Sequence, residues 1–201
     1  MGEPRRRRRS PEVAEREILA AAEELLRERP FRDLTVDEVM RRTELSRPSF
    51  YVYFKDRHQL VLRVAERFGD EMMTMSARWF QGTGPSASAT FREALEGIVA
   101  VYDKHGPVLH ALADAATVDP EVELTYNAIM QTFIDTITQR IEEEIEAGRV
   151  LPLDAKETAR ALCLMNDRYL MAALGRTRTA SPETVVATLA TIWTRTLYGT
   201  D

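Results

Sequence analysis

From Pro11 to the C-terminus the apolar residues recur at steps of three and four, and nowhere do they alternate. Side chains three and four apart share one face of a helix, whereas strand neighbours on one face are two apart, so the pattern predicts an all-α chain. About nine helices fit between the breaks. They are read at 11 to 29, 35 to 42, 46 to 54, 57 to 80, 87 to 104, 107 to 117, 119 to 147, 154 to 175 and 181 to 198. Proline and glycine punctuate them, at Pro30, at Gly82, Gly84 and Pro85, at Gly106-Pro107, at Asp119-Pro120, at Gly148 with Pro152, and from Gly175 to Pro182. No segment repeats at a fixed period.

One stretch resists reading as plain core or plain surface: Thr35 to Arg57, TVDEVMRRTELSRPSFYVYFKDR. Thr35 followed three residues later by Glu38 is a capping box, in which hydroxyl and carboxylate satisfy helix-start amides. Val36, Val39 and Met40 fall on one face of the helix it starts. After a corner at Thr43-Glu44-Leu45, Ser46 is placed to cap a second short helix, with Pro48 in its first turn, where a missing N–H costs nothing. That helix carries donors in Arg47, Ser49, Tyr51 and Lys55 and ring surface in Phe50, Tyr53 and Phe54. Two helices joined by a tight turn are the helix-turn-helix unit, whose second helix lies in a DNA major groove. Period and capping alone leave a solvent-facing helical hairpin equally open.

The residue string separates the two. LSRPSFYVYFKDRHQLV, at 45 to 61, resembles the recognition helix and following helix start of the tetracycline-repressor (TetR) family, and the I-L-x-A-A-x-x-L-L pattern at 18 to 26 resembles its first helix. Asp56-Arg57 departs from the family's usual Ser/Asn-Lys but keeps a capping residue and a cation. The resemblance implies a three-helix DNA-binding unit over 11 to 56, reading double-stranded operator DNA through Thr35, Arg47, Pro48, Ser49, Tyr51, Tyr53 and Lys55. It also implies a ligand-binding and dimerisation domain over 57 to 201.

A formal charge of -5 fits this once it is divided. Residues 1 to 60 hold 14 Lys+Arg and 12 Asp+Glu, a balance of +2, which leaves -7 for the rest. Within 41 to 57 there are five cations and two anions, a local patch of the kind phosphate contacts need. Residues 1 to 10 contain Arg5 to Arg9 and no apolar residue after Met1, so this arm is expected to be disordered in isolation. Such an arm either tracks the DNA backbone or a minor groove, or remains a solvated tail.

The C-terminal helices are richer in apolar and aromatic residues than in polar anchors. Asn166 stands out on a face otherwise read as buried, where an amide needs a partner on a neighbouring helix or on a ligand. ALCLMNDRYLMAAL, at 161 to 174, and IWTRTLYG, at 192 to 199, resemble a branch of the TetR family whose helical bundle encloses a long, mainly apolar ligand channel. That resemblance makes Asn166 the polar anchor for a small hydrophobic effector, with Phe91, Met130, Phe133 and Trp193 along the channel. Ile98, Tyr102, Ile137 and Cys163 complete the candidate set. Cys163 departs from the branch, which has a second asparagine there, so the effector is expected to differ. The last two helices are expected to form a homodimer through Ala159, Leu162, Met171, Val185, Leu189 and Ile192.

No catalytic or metal constellation is legible, and no cofactor is expected. The three histidines, His58, His105 and His110, fall in separate contexts, and Cys163 has no second cysteine. Glu142, Glu143, Glu144 and Glu146 are read as a solvated helix end. The lone cysteine suits a reducing compartment, and the apolar runs are too short to cross a bilayer, so a cytoplasmic location is expected. The sequence thus predicts a ligand-responsive, dimeric repressor and not an enzyme. Two variants stay open: an activator, or a DNA-binding regulator without a ligand whose bundle serves only dimerisation.

Overall fold

The computed structural model describes residues 10 to 83 and 87 to 199. Arg5 to Arg9, Gly84 and Pro85 lie outside them. Among the described residues there are eight α-helices and no strand: α1 (Pro11–Glu28), α2 (Val36–Arg41), α3 (Arg47–Tyr53), α4 (Arg57–Phe80), α5 (Ala87–Ala116), α6 (Pro120–Glu146), α7 (Ala155–Leu174) and α8 (Pro182–Tyr198). A short 3-10 turn, Phe31–Asp33, joins α1 to α2.

The helix starts follow the side chains that cap them. Asp56 accepts from the amides of His58 and Gln59, both at 2.9 Å. Asp119 accepts from Glu121 and Val122, Asp154 from Glu157, and Ser181 from Thr184. Each cap satisfies amides that have no partner within the helix, a contribution of about 1 kcal/mol apiece. Proline opens α1, α6 and α8.

Nine helices become eight because α5 runs unbroken through Gly106-Pro107, where the sequence predicts a stop. The reason is tertiary. A Cβ on Gly106 would lie 1.9 Å from the carbonyl oxygen of Leu174 at the end of α7, so the glycine marks a close helix crossing and not a turn. Pro107 costs the helix one backbone bond, and packing on both sides of α5 outweighs it.

One continuous apolar core holds the helices. At its N-terminal end Ile18 and Leu25 of α1, Leu34, Phe50 and Phe54 from around α3, and Leu60 and Phe68 of α4 are almost wholly buried. Further along, α4 packs against α5 and α6, while α8 packs against α5 and α7. α4 therefore belongs to both ends of the molecule. No described helix is long and apolar enough to cross a membrane.

Candidate DNA-binding face and ligand cavity

The corner between α2 and α3 is fixed by short side chains. The Thr35 hydroxyl accepts from the Glu38 amide at 3.3 Å and donates to Glu38 Oε2 at 2.7 Å, closing the capping box. Glu38 Oε1 also accepts from Arg29 at 2.5 Å, which ties α2 to the end of α1. The Thr35 hydroxyl and the Arg29 guanidinium hold the Glu38 carboxyl below the usual carboxylate range. At α3 the expected Ser46 cap is absent. Its hydroxyl instead lies 2.9 Å from the Ser49 hydroxyl, because the two face each other across the first turn.

α3 buries Phe50, with Phe54 just beyond it, and presents Arg47, Pro48, Tyr51 and Val52 outward. Tyr51 is 53 % exposed and Val52 75 %. Ser49 and Tyr53 are half-buried, Tyr53 packing on the core, while Thr35 and Lys55 flank the helix and are exposed. Val52 is not among the residues the sequence singles out. Beside Tyr51 it adds an apolar patch to the outward face of α3.

The five cations counted between 41 and 57 are not equivalent. Arg42 pairs with Glu24 and Glu28 of α1, and Arg57 donates to the carbonyls of Arg32 and Leu34 and lies over the Phe31 ring. Both brace the fold. Arg47 pairs with Asp37 at 3.2 Å, and its neighbours Tyr51 and Asp37 raise its affinity for its proton further. Among the described residues Arg41 and Lys55 carry no ion pair, so the charge ready for phosphates is smaller than the residue count implies.

The second feature is a cavity between α4, α5, α6 and α7. Its non-atom space, open mouth included, is about 750 Å³. Ile98, Tyr102, Met130, Phe133, Ile137, Cys163 and Asn166 line it as a group, joined by Ala65 and Met72 of α4, Tyr126 and Ile129 of α6, and Asp167, Leu170 and Met171 of α7. Phe91 and Trp193 do not reach it. Their rings lie tilted against each other at 4.8 Å and meet Trp79 edge-on at 5.1 and 6.1 Å, as a buried aromatic cluster behind the wall. Trp193 acts on the cavity at one remove, donating from Nε1 to Asn166 Oδ1 at 2.9 Å. The Asn166 amide nitrogen is left for the cavity. Asp167 was also missed: its Oδ1 accepts from the Tyr126 hydroxyl at 2.7 Å and the Tyr102 hydroxyl at 3.2 Å. Burial, then the adjoining carboxylate, push both phenols well above their ordinary range, so they remain protonated donors. Burial likewise pushes the Cys163 thiol up to about 12, which makes it an apolar wall group and not a nucleophile.

Of the six expected dimer residues, Ala159, Leu162, Met171, Val185 and Leu189 are buried within the single chain, and Met171 faces the cavity. Ile192 is 37 % exposed. Both helices carry apolar residues on more than one side, so periodicity does not say which face turns inward. Leu164, 52 % exposed, and Ile192 mark the outward faces of α7 and α8.

The acidic end of α6 also differs from its reading as a solvated face. Glu142, Glu143 and Glu146 are exposed, but Glu144 is 1 % exposed and bonded to Arg140 and Arg149. It fastens the α6 end to the following turn. Among the described residues no three His, Cys, Asp or Glu side chains converge on a possible metal position.

A helix-turn-helix unit joined through α4 to an all-helical domain that holds a mainly apolar cavity points to a DNA-binding regulator. Comparison with known proteins narrows the class. The model for bacterial regulatory proteins of the tetR family matches residues 18 to 64, and that for the C-terminal domain of the transcriptional regulator EthR matches residues 91 to 199. The HTH-type transcriptional regulator EthR of Mycolicibacterium smegmatis is 32 % identical over 206 aligned positions, covering 98 % of this chain and 93 % of that protein. EthR of Mycobacterium tuberculosis is 32 % identical over 204, covering 98 % and 94 %. Among solved structures, Salmonella enterica GusR superposes with a TM-score of 0.78 at 17 % identity, covering 94 % of this chain and 98 % of that one. The regulator PfmR of Thermus thermophilus gives 0.71 at 14 %, covering 92 % and 98 %. The chain belongs to the TetR family and carries an EthR-type C-terminal domain. The family and these relatives are transcriptional regulators, not enzymes.

Proposed function

We propose that this regulator is a repressor that binds a palindromic operator as a homodimer and is released when a small hydrophobic effector enters the cavity. The DNA-binding unit would span 11 to 56, and the effector and dimer functions 57 to 201. One observation carries the reading: α4 follows α3 directly in the chain, packs on α1 of the DNA-binding unit, and lines the cavity with Ala65 and Met72. A ligand pressing on Ala65 and Met72 would displace the helix that continues from α3 and packs on α1. Release follows only so far as the ligand binds the displaced state better than the DNA-bound one. The cavity is also what favours this reading over a bundle used solely for dimerisation.

On the DNA, Arg47, Pro48, Ser49, Tyr51 and Val52 would face the groove, Thr35 and Lys55 the phosphates, and Tyr53 would pin α3 from behind. The dimer would form through the outward stripes, Ala161, Leu164, Arg168 and Ala172 on α7 and Ala187, Thr191 and Ile192 on α8, all exposed in the single chain. A two-fold interface is self-complementary, so one stripe pair serves both subunits. The two recognition helices then meet successive major-groove half-sites.

Fluorescence anisotropy at fixed salt, on the duplex upstream of the protein's own gene, tests the DNA half. Two chains should bind per duplex, and Tyr51→Ala should cost roughly 1–3 kcal/mol of specific affinity while retaining the wild-type helix content. Equal binding of both proteins to unrelated duplexes would sink the assignment of α3 as the reading helix.

A further inference from the structure

We infer that the cavity is built for a hydrophobic cation, an aliphatic or aromatic amine whose ammonium rests on Asp167. The inference rests on the effector reading above and names the chemical class of the effector.

Asp167 is the one carboxylate among the lining residues of a mainly apolar cavity. Both phenols that reach it, from Tyr102 and Tyr126, converge on Oδ1, and no donor among the described residues reaches Oδ2. Among the described residues no Lys, Arg or His forms an ion pair with either oxygen; Arg168, next in the chain, is exposed and acts on the neighbouring Tyr126 phenol only at a distance. Phenols donate hydrogen bonds but do not cancel a charge. A carboxylate facing apolar walls without a counter-charge is costly, and that cost is recovered when a cation arrives. An ammonium supplies the missing charge and a donor for Oδ2, in a wall shared with the aromatic side chains of Tyr102, Tyr126 and Phe133. The aliphatic remainder fits against Ile98, Met130 and Ile137. A ligand bearing a carboxylate of its own would meet Asp167 as a like charge and is excluded.

The test is calorimetric titration of the full chain with n-octylamine, n-octanol and n-octanoate, three probes of equal chain and different head. The amine should bind about tenfold more tightly than the alcohol, with the acid weakest. Asp167→Asn should remove that preference, weakening the amine by about tenfold and leaving the alcohol within about threefold. Tyr126→Phe, which takes a donor from Oδ1 and leaves the carboxylate, should keep the preference. Wild-type protein that binds the alcohol as well as the amine overturns the cation inference alone, as does a preference that survives in Asp167→Asn or disappears in Tyr126→Phe. Failure of all three probes to bind overturns the inference together with the effector reading. Should Asp167→Asn not fold, the wild-type series and Tyr126→Phe still decide.

Discussion

His105 is 2 % exposed, and neither of its ring nitrogens has a hydrogen-bond partner. It sits where α1, α4 and α5 meet, with its ring centroid 4.5 Å from that of Phe68, and with Glu23 and Glu71 carboxylate oxygens 3.7 and 3.9 Å from its nitrogens. Burial, then Lys104 and the arginines at 27 and 67, push its pKa from the ordinary 6.5 to about 4, against the pull of Glu71. The folded protein therefore binds fewer protons than the unfolded chain between these values, so stability falls as pH drops through that window. The limit is about 3 kcal/mol, at about 1.4 kcal/mol per pKa unit. Glu23, raised mainly by burial, opposes this, since its folded form takes up a proton more readily. His105→Gln should flatten the decline of the urea midpoint between pH 6.5 and 4; an unchanged slope would show that other groups set it. Asn166 illustrates what was legible at this scale. Its type and spacing reveal a polar anchor on a buried face, but its Oδ1 is taken by Trp193, and the acceptor beside it, Asp167, was invisible. An Asp beside an Arg on an amphipathic helix reads as surface. Only the convergence of Tyr102 and Tyr126, from two other helices, marks it as a wall of the cavity.

Helices were the most legible unit, because their ends are written in short-range chemistry. Asp56, Asp119, Asp154 and Ser181 cap where the sequence places starts, and Gly82 and Gly148 take the left-handed backbone that ends α4 and α6, with φ of 64° and 69°. Gly106-Pro107 failed as punctuation because its role depends on α7, which sequence spacing does not locate. That contact gives a direct prediction. Gly106→Ala drives a methyl group into the Leu174 carbonyl, and α5 and α7 must separate. The substitution should lower unfolding free energy in urea by about 1–3 kcal/mol, despite alanine's better helix propensity. A neutral or stabilising result would mean that the crossing is looser than described. The inward and outward faces of α7 and α8 were illegible for a related reason. A helix apolar on two sides satisfies a core and an interface equally well, and only the position of α5 decides between them.

Across the whole molecule, α4 and α6 connect the cavity to the DNA-binding unit. α4 starts at the Asp56 cap beneath the DNA-binding unit, and His58 in its first turn lies 2.8 Å from Asp119, the cap of α6. Three residues after that cap α6 is already packed inward through Val122, and further along it brings Tyr126, Ile129, Met130 and Phe133 to the cavity. Cavity and DNA face are thus joined along α4 directly and along α6 through the His58–Asp119 contact. If occupancy of the cavity controls the DNA face, a side chain that fills it should act as a permanent ligand. Met130→Trp places an indole there, more than one helix away from any proposed DNA contact. The decisive measurement is anisotropy of the operator duplex with wild type and Met130→Trp at the same salt, alongside an unrelated duplex. The variant, folded and dimeric, should bind the operator about tenfold more weakly while non-specific binding is unchanged. Wild-type operator affinity in a folded variant whose cavity is filled would contradict it.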